Sequence, residues 1–270
     1  MFGFKYDTEK RLHRFGRTVL LTAASLVTMV YIWWILAIII NTPVIPTPDL
    51  VWNAFLDLFR NGDVHTGLSM WDHIFASLKR FIGGFILAFV VAVPLGLVIG
   101  YSKFLDEFTK PMLEILKPIA PIAWAPVFIF ATTITIGPIL VVFIGIFFPL
   151  LYNTVFGVKK IDTNLIDASK TLGASNGKIF YKVMLPCTTP FIMNGIRIGF
   201  GIGWMCIVAA EMIAPIGGGI GFFISMQGLT LYNWPNVFVG LGIIALLGIL
   251  TTGLADYAYK IIAKRMGMEE

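Results

Sequence analysis

Apolar residues run along this chain in long unbroken blocks. Charge-free stretches cover Thr18–Pro48, Phe81–Ser102, Pro118–Val158 and Met212–Ala255. A helix needs about 20 consecutive apolar residues to cross a bilayer, and two of these stretches leave room for a helical pair. The pattern predicts an all-α polytopic membrane protein with six spans, at 18–40, 74–101, 118–133, 138–157, 190–213 and 236–260. The third span is short, and only the break around Thr132–Pro138 separates it from the fourth. These spans make a single transmembrane domain, 18–262, between a basic N-terminus, 1–17, and a short tail, 263–270.

Composition supports the same class. Apolar residues make up 57% of the 270, charged residues only 13%, and mean hydropathy is +0.85, which excludes most soluble folds. The net charge of +5 is topological here and does not imply nucleic acid. With the N-terminus inside, cytoplasmic segments hold seventeen of the twenty Lys and Arg residues. Arg60, Lys79 and Arg80 are the remainder, and the loop 214–235 has none. The positive-inside rule therefore puts both termini and the loop 158–189 in the cytoplasm. The apolar run after Arg17 exceeds a signal-peptide core and lacks its cleavage pattern, so it reads as a retained span. Cys187 and Cys206 are too few and too poorly placed for a disulfide scaffold or a metal site.

Two loops lie outside. The loop 42–73 opens with Pro43, Pro46 and Pro48, which favour extended chain. Asp49 could then cap a short helix through Phe59 with Val51, Trp52, Phe55 and Phe59 on one face, lying on lipid headgroups. The other loop carries Gly217, Gly218, Gly219 and Gly221.

The polar island Asp167–Pro186 separates two apolar blocks and must project into water, since unpaired polar groups are costly in hydrocarbon. Asp162 or Thr163 could cap a short helix there, and Gly173 could end it in a left-handed turn. Pro186 and Pro190 would bracket the start of the fifth span. The segment Gly173–Lys178 imitates the end of a phosphate-binding loop, but it is one residue short and Ile179 replaces the magnesium-binding Ser or Thr. An ordinary solvated loop remains the plain alternative.

The order of residues in this island resembles the cytoplasmic loop of permeases from binding-protein-dependent ABC importers. Their pattern is acid-Ala-Ala, three residues, Gly, nine residues, then Ile-x-Leu-Pro. Here stand Asp167-Ala168-Ser169, Gly173 and Val183-Met184-Leu185-Pro186 with both gaps kept. His73–Arg80, Val93–Leu97, Lys117–Pro126, Gly195–Gly199 and Val208–Met212 look like the nitrate/sulfonate/taurine branch, over residues 45 to 265. The resemblance implies a type I ABC importer permease fold with a cytoplasmic coupling helix. It makes Asp167, Ala168, Ser169, Gly173, Leu185 and Pro186 the residues that couple to a separate ATPase. It also implies two ATPase copies holding ATP and magnesium, an extracytoplasmic binding protein, and a second permease copy. No cofactor or metal is expected on this chain, which would sit in lipid in the cell inner membrane and perform no chemistry.

Charges inside spans are costly and usually face protein or water. Arg197 and Glu211 fall in the fifth span, too far apart to pair with each other. Arg197 suits a structural role near the cytoplasmic end. Glu211, near the outer end and the glycine loop, could line the substrate mouth or anchor the helix end. Gly195, Gly199 and Gly203 clear one face of that span for a dimer interface or a pathway wall. Pro118, Pro121 and Pro126 free backbone carbonyls around Trp124, which makes 118–126 a pathway or gate candidate, with kinked packing as its rival.

These expectations converge on a transporter subunit for sulfonate, taurine, nitrate or a similar anion. A cofactor-precursor pyrimidine or another small solute is the alternative cargo, and a passive channel the alternative class. An intramembrane enzyme needs convergent acids, bases or ligands. The histidines, His13, His65 and His73, lie outside span interiors or at a span edge.

Overall fold

The computed structural model describes residues 8–213 and 217–265, with the side chains of 17–213 and 217–264. Its helices are α1 (Thr8–Ile40), α2 (Pro48–Asn61), α3 (Met70–Tyr101), α4 (Lys103–Leu116), α5 (Ala125–Ala131) and α6 (Gly137–Lys159). After these come α7 (Thr163–Thr171), α8 (Asn176–Ile179), α9 (Leu185–Ile213), α10 (Ile220–Ser225) and α11 (Trp234–Arg265). Five helices are long and apolar enough to cross a bilayer, or six if α4 and the bent stretch Pro121–Ala131 count as one span. Parts of the basic N-terminus and the tail 263–270 lie outside the described residues.

The centre is α6, packed between α3 and α9. Val142, Ile146 and Leu150 are wholly buried there, beside Phe81, Ala88 and Ala92 of α3 and Ile196 and Trp204 of α9. Glycine makes these approaches possible. A Cβ on Gly84 would lie 2.6 Å from Val142, and one on Gly96 would lie 2.6 Å from Thr154. A second core joins Leu58 of α2, Met70 and Ile74 of α3, Ile220 and Phe223 of α10, and Val237 and Ile243 of α11. By contrast, α1 from Thr18 to Ile40 is without charge and almost wholly exposed, with Ala37 buried and Trp33 stacked on Phe238 at 5.4 Å. A helix of that kind is stable only with lipid or another chain around it.

The two ends of the bundle differ in chemistry. The glycine-turn end holds Asn41–Ser69 and Gly217–Asn233. The lysine end holds Lys103–Lys117, Lys159–Lys182 and Lys260–Lys264.

Several expected boundaries change. The short span 118–133 is replaced by α4, a 3₁₀ turn at Pro121–Trp124 and α5, bent by 80° at the break. Pro118 and Pro121 withhold two helical donors within four residues, so a straight rod cannot pass through. The fifth span does not start at 190, because helix runs from Asn176 to Ile213 through a π turn at Phe180–Met184. Pro186 and Pro190 therefore lie inside that rod instead of before it. Thr47, not Asp49, is the residue before α2, with Pro48 at its first position and Asp49 in its first turn. That helix also docks on the bundle through buried Leu58, while its aromatic ladder continues from Trp52 through Phe55 and Phe59 to Trp71.

Candidate functional site

At the lysine end, α7 is fastened at both ends by its own sequence. The Asp162 carboxylate accepts from the Asn164 amide at 2.9 Å, so Asp162 is the cap. At the other end Gly173 has φ +77°, its amide donates to Lys170 O at 2.9 Å, and the Ala174 amide donates to Ser169 O at 3.0 Å. That pair of bonds closes the helix in a Schellman motif. Ile161, Ile166 and Ala174 lean on the main core. Asp167, Ala168 and Gly173 face outward, and Leu172 is 88% exposed. Ser169 is half-buried and donates to Leu165 O, while Lys170 Nζ lies 3.6 Å from the Asp167 carboxylate. Leu185 and Pro186 are half-buried in the rod above, immediately after the π turn. A cleft of about 940 Å³ separates α7 from α3 and α6, bordered by Tyr101, Ser102, Lys159 and Asp167.

The glycine-turn end holds a buried polar cluster. His73, Ser77 and Arg80 recur at the spacing of one face of α3; Ser77 and Arg80 meet Glu211 of α9, and His73 meets the Gly219 backbone. Arg80 Nη1 donates to Glu211 Oε1 at 2.7 Å and to Gly218 O at 2.8 Å, and Nη2 donates to Gly217 O at 2.8 Å. Ser77 Oγ donates to Glu211 Oε2 at 2.7 Å and accepts from the Ile220 amide at 2.8 Å. The Gly221 amide also donates to Oε2, at 3.1 Å. Each carboxylate oxygen is therefore engaged, and Glu211 is 1% exposed. Gly219 has φ +120°, and a Cβ there would lie 2.5 Å from that carboxylate. Only glycine fits both the turn and the contact.

The other expected residues are dispersed. Gly199 and Gly203 do not open a dimer face or a passage wall; both press on Ile146 of α6, where an added Cβ would lie 2.9 Å away. Close helix packing inside one chain uses up that face. Pro121 and Trp124 are half-buried in the 3₁₀ turn, Pro126 is exposed, and Trp124 stacks on Phe128 at 5.8 Å. Arg197 is half exposed and pairs with Asp256 of α11, with Nε 2.6 Å from Oδ1. Sequence reasoning missed Arg80 and Ser77 as partners of Glu211, His73 as a partner of the Gly219 backbone, and Asp256 as the partner of Arg197. The signal was present: three polar groups on one apolar helix face, and a lone acid in an apolar block.

Residues 92–268 match the family described as binding-protein-dependent transport system inner membrane component. The chain belongs to this family. The permease is 42% identical to a putative ABC transporter permease of Methanocaldococcus jannaschii, over 82% of each chain. It is 30% identical to the taurine transport system permease of Escherichia coli K12, over 87% of this chain and 86% of that one. A nitrate import permease of Synechocystis is 39% identical over 66% and 63%. Among solved structures, the inward-facing methionine ABC transporter superposes with a TM-score of 0.59 at 21% identity, over 72% of this chain and 97% of that one. That likeness concerns the fold alone. The protein is thus a multi-pass inner-membrane permease subunit of an ABC importer, with the type I permease fold.

Proposed function

We propose that the permease moves a small anion of the nitrate or sulfonate class, delivered by an extracytoplasmic binding protein. The observation that carries the mechanism is the exposed helix α7, fastened by Asp162 and Gly173 and joined directly to two spans. A rigid short helix transmits displacement; a loose loop would absorb it. Because Asn176–Ile213 is one continuous run of 38 residues, motion of α7 is passed to the whole of α9. Asp167, Ala168, Ser169 and Gly173 present the surface gripped by an ATPase, and Leu185 and Pro186 lie inside the rod that carries the coupling onward.

In this reading ATP and magnesium stay on two ATPase copies, and two permease copies form a homodimer around the passage. The lysine end faces the cytoplasm with both termini, which the distribution of basic residues supports. The 3₁₀ turn with Pro121, Trp124 and Pro126 remains the candidate pathway lining. Glu211, Gly199 and Gly203 serve the fold around it. Relatives named for nitrate and taurine transport support the anion class.

Proteoliposomes containing the permease, its ATPase and its binding protein test this reading. Uptake of labelled taurine or nitrate should need ATP and should be lost in Gly173→Val, with membrane insertion kept. ATP-driven uptake of neither solute, or full uptake by that variant, would sink the proposal.

A further inference from the structure

Eight polar or charged side chains are buried among the described residues, and six of them belong to one network: Asp63, His73, Ser77, Arg80, Glu211 and Gln227. It extends beyond the ion pair. His73 Nδ1 lies 3.0 Å from Gly219 O and 3.2 Å from Gly219 N, and its Nε2 lies 3.5 Å from Thr66 Oγ1. Thr66 donates to Asp63 Oδ2 at 2.7 Å, and Gln227 Nε2 donates to Asp63 Oδ1 at 3.1 Å. Asn236 of α11 donates to Gln227 Oε1 at 3.1 Å.

The network joins two loops at the edge of the apolar core that packs Ile220 and Phe223 against Met70 and Ile74. Gly217, Gly218 and Gly219 all have positive φ, at +107°, +69° and +120°. A run of such glycines has little conformational preference of its own, so the guanidinium of Arg80 and the ring of His73 select its shape. On the far side of α10, Tyr232 sits at φ +53°, unfavourable for a bulky residue, with the Asn233 amide bonded to Gln227 O at 2.8 Å. The tied loops display Val64, Leu229 and Tyr232, which are 83%, 68% and 71% exposed.

We propose that Arg80, Glu211, Ser77 and His73 form a positioning latch. It holds the glycine turn and α10 in one arrangement, so that the loops around Val64 and Tyr232 meet the binding protein as one rigid surface. This rests on the reading that the glycine-turn end faces outward. The latch needs more than charge neutrality, because Arg80 also serves the Gly217 and Gly218 carbonyls. Lysine keeps the charge but cannot reach all three acceptors with a planar fork.

Two measurements on the assembled importer test the latch. Spin labels at Val64→Cys and Tyr232→Cys, with Cys187 and Cys206 replaced by alanine, in importers assembled from labelled permease diluted with unlabelled permease, should give one narrow distance within a copy. Arg80→Lys and Glu211→Gln should broaden it. In proteoliposomes those variants should raise the half-saturating concentration of binding protein about tenfold while maximal taurine or nitrate uptake stays within about twofold. A narrow distance in Arg80→Lys, or unchanged half-saturation with a reduced maximal rate, overturns the latch. Ser77→Ala removes one hydroxyl and carries the same comparison should Arg80→Lys fail to assemble. If the unmodified protein takes up neither solute, the reading of its cargo as such an anion fails, and the spin-label distances still decide the latch.

Discussion

Glu211 occupies a site where a carboxylate survives only because three donors, from Arg80, Ser77 and the Gly221 amide, converge on it. Burying a charge is expensive, and removing one partner of a buried pair leaves the other uncompensated, at about 3–5 kcal/mol. Glu211→Ala and Arg80→Ala should therefore each lower thermal stability in detergent strongly. The double variant should cost well below the sum of the two, because the pair acts as a unit. Additive losses in that cycle would mean that the ion pair does not couple the two helices. The Asp106–Lys159 pair offers a contrast. Its groups are 2.5 Å apart, but the lysine side chain is 45% exposed, and such pairs contribute about 0–1 kcal/mol. Asp106→Asn should leave the melting temperature nearly unchanged.

Among the elements, α7 depends on a backbone shape more than on a contact. No atom lies within 4 Å of a Cβ added at Gly173, so a substitution there acts through the left-handed φ and through whatever partner touches it. Asparagine tolerates that conformation and valine does not. Gly173→Asn should thus keep a larger share of ATP-driven uptake than Gly173→Val, measured at equal insertion; equal loss would assign the defect to the partner surface alone. Packed glycines behave oppositely. Gly84→Val pushes a side chain into Val142 and the Ile139 carbonyl, 2.6 and 2.8 Å from the added Cβ, and should cost about 1–3 kcal/mol. Gly201 meets nothing within 4 Å, so Gly201→Ala should be neutral to mildly stabilising, by up to about 1 kcal/mol. Thermal melts of the two variants check the contrast.

For the molecule as a whole, orientation can be read with single cysteines in a background lacking Cys187 and Cys206. Leu172→Cys, 88% exposed, should resist an impermeant maleimide added to intact cells, and Tyr232→Cys, 71% exposed, should react. The reverse pattern would invert the topology and remove α7 from any cytoplasmic ATPase.

Runs of apolar residues, lysine placement and the Asp167–Pro186 spacing were enough to reveal a helical membrane permease with a projecting α7. These are local or additive properties, legible wherever hydrocarbon thickness and charge set the rule. A cap at Asp162 or Thr163 and the turn at Gly173 were legible for the same reason, since each is decided within a few residues, and the structure selects Asp162. Partnership was not. Glu211 and Arg80 are 131 positions apart, and only the packing of α3, α6 and α9 brings them within bonding distance. Likewise the Gly199 and Gly203 face had several possible neighbours, and the fold alone selected α6. Where the third span bends and where the fifth begins also depended on how neighbouring helices satisfy the backbone groups that proline leaves open.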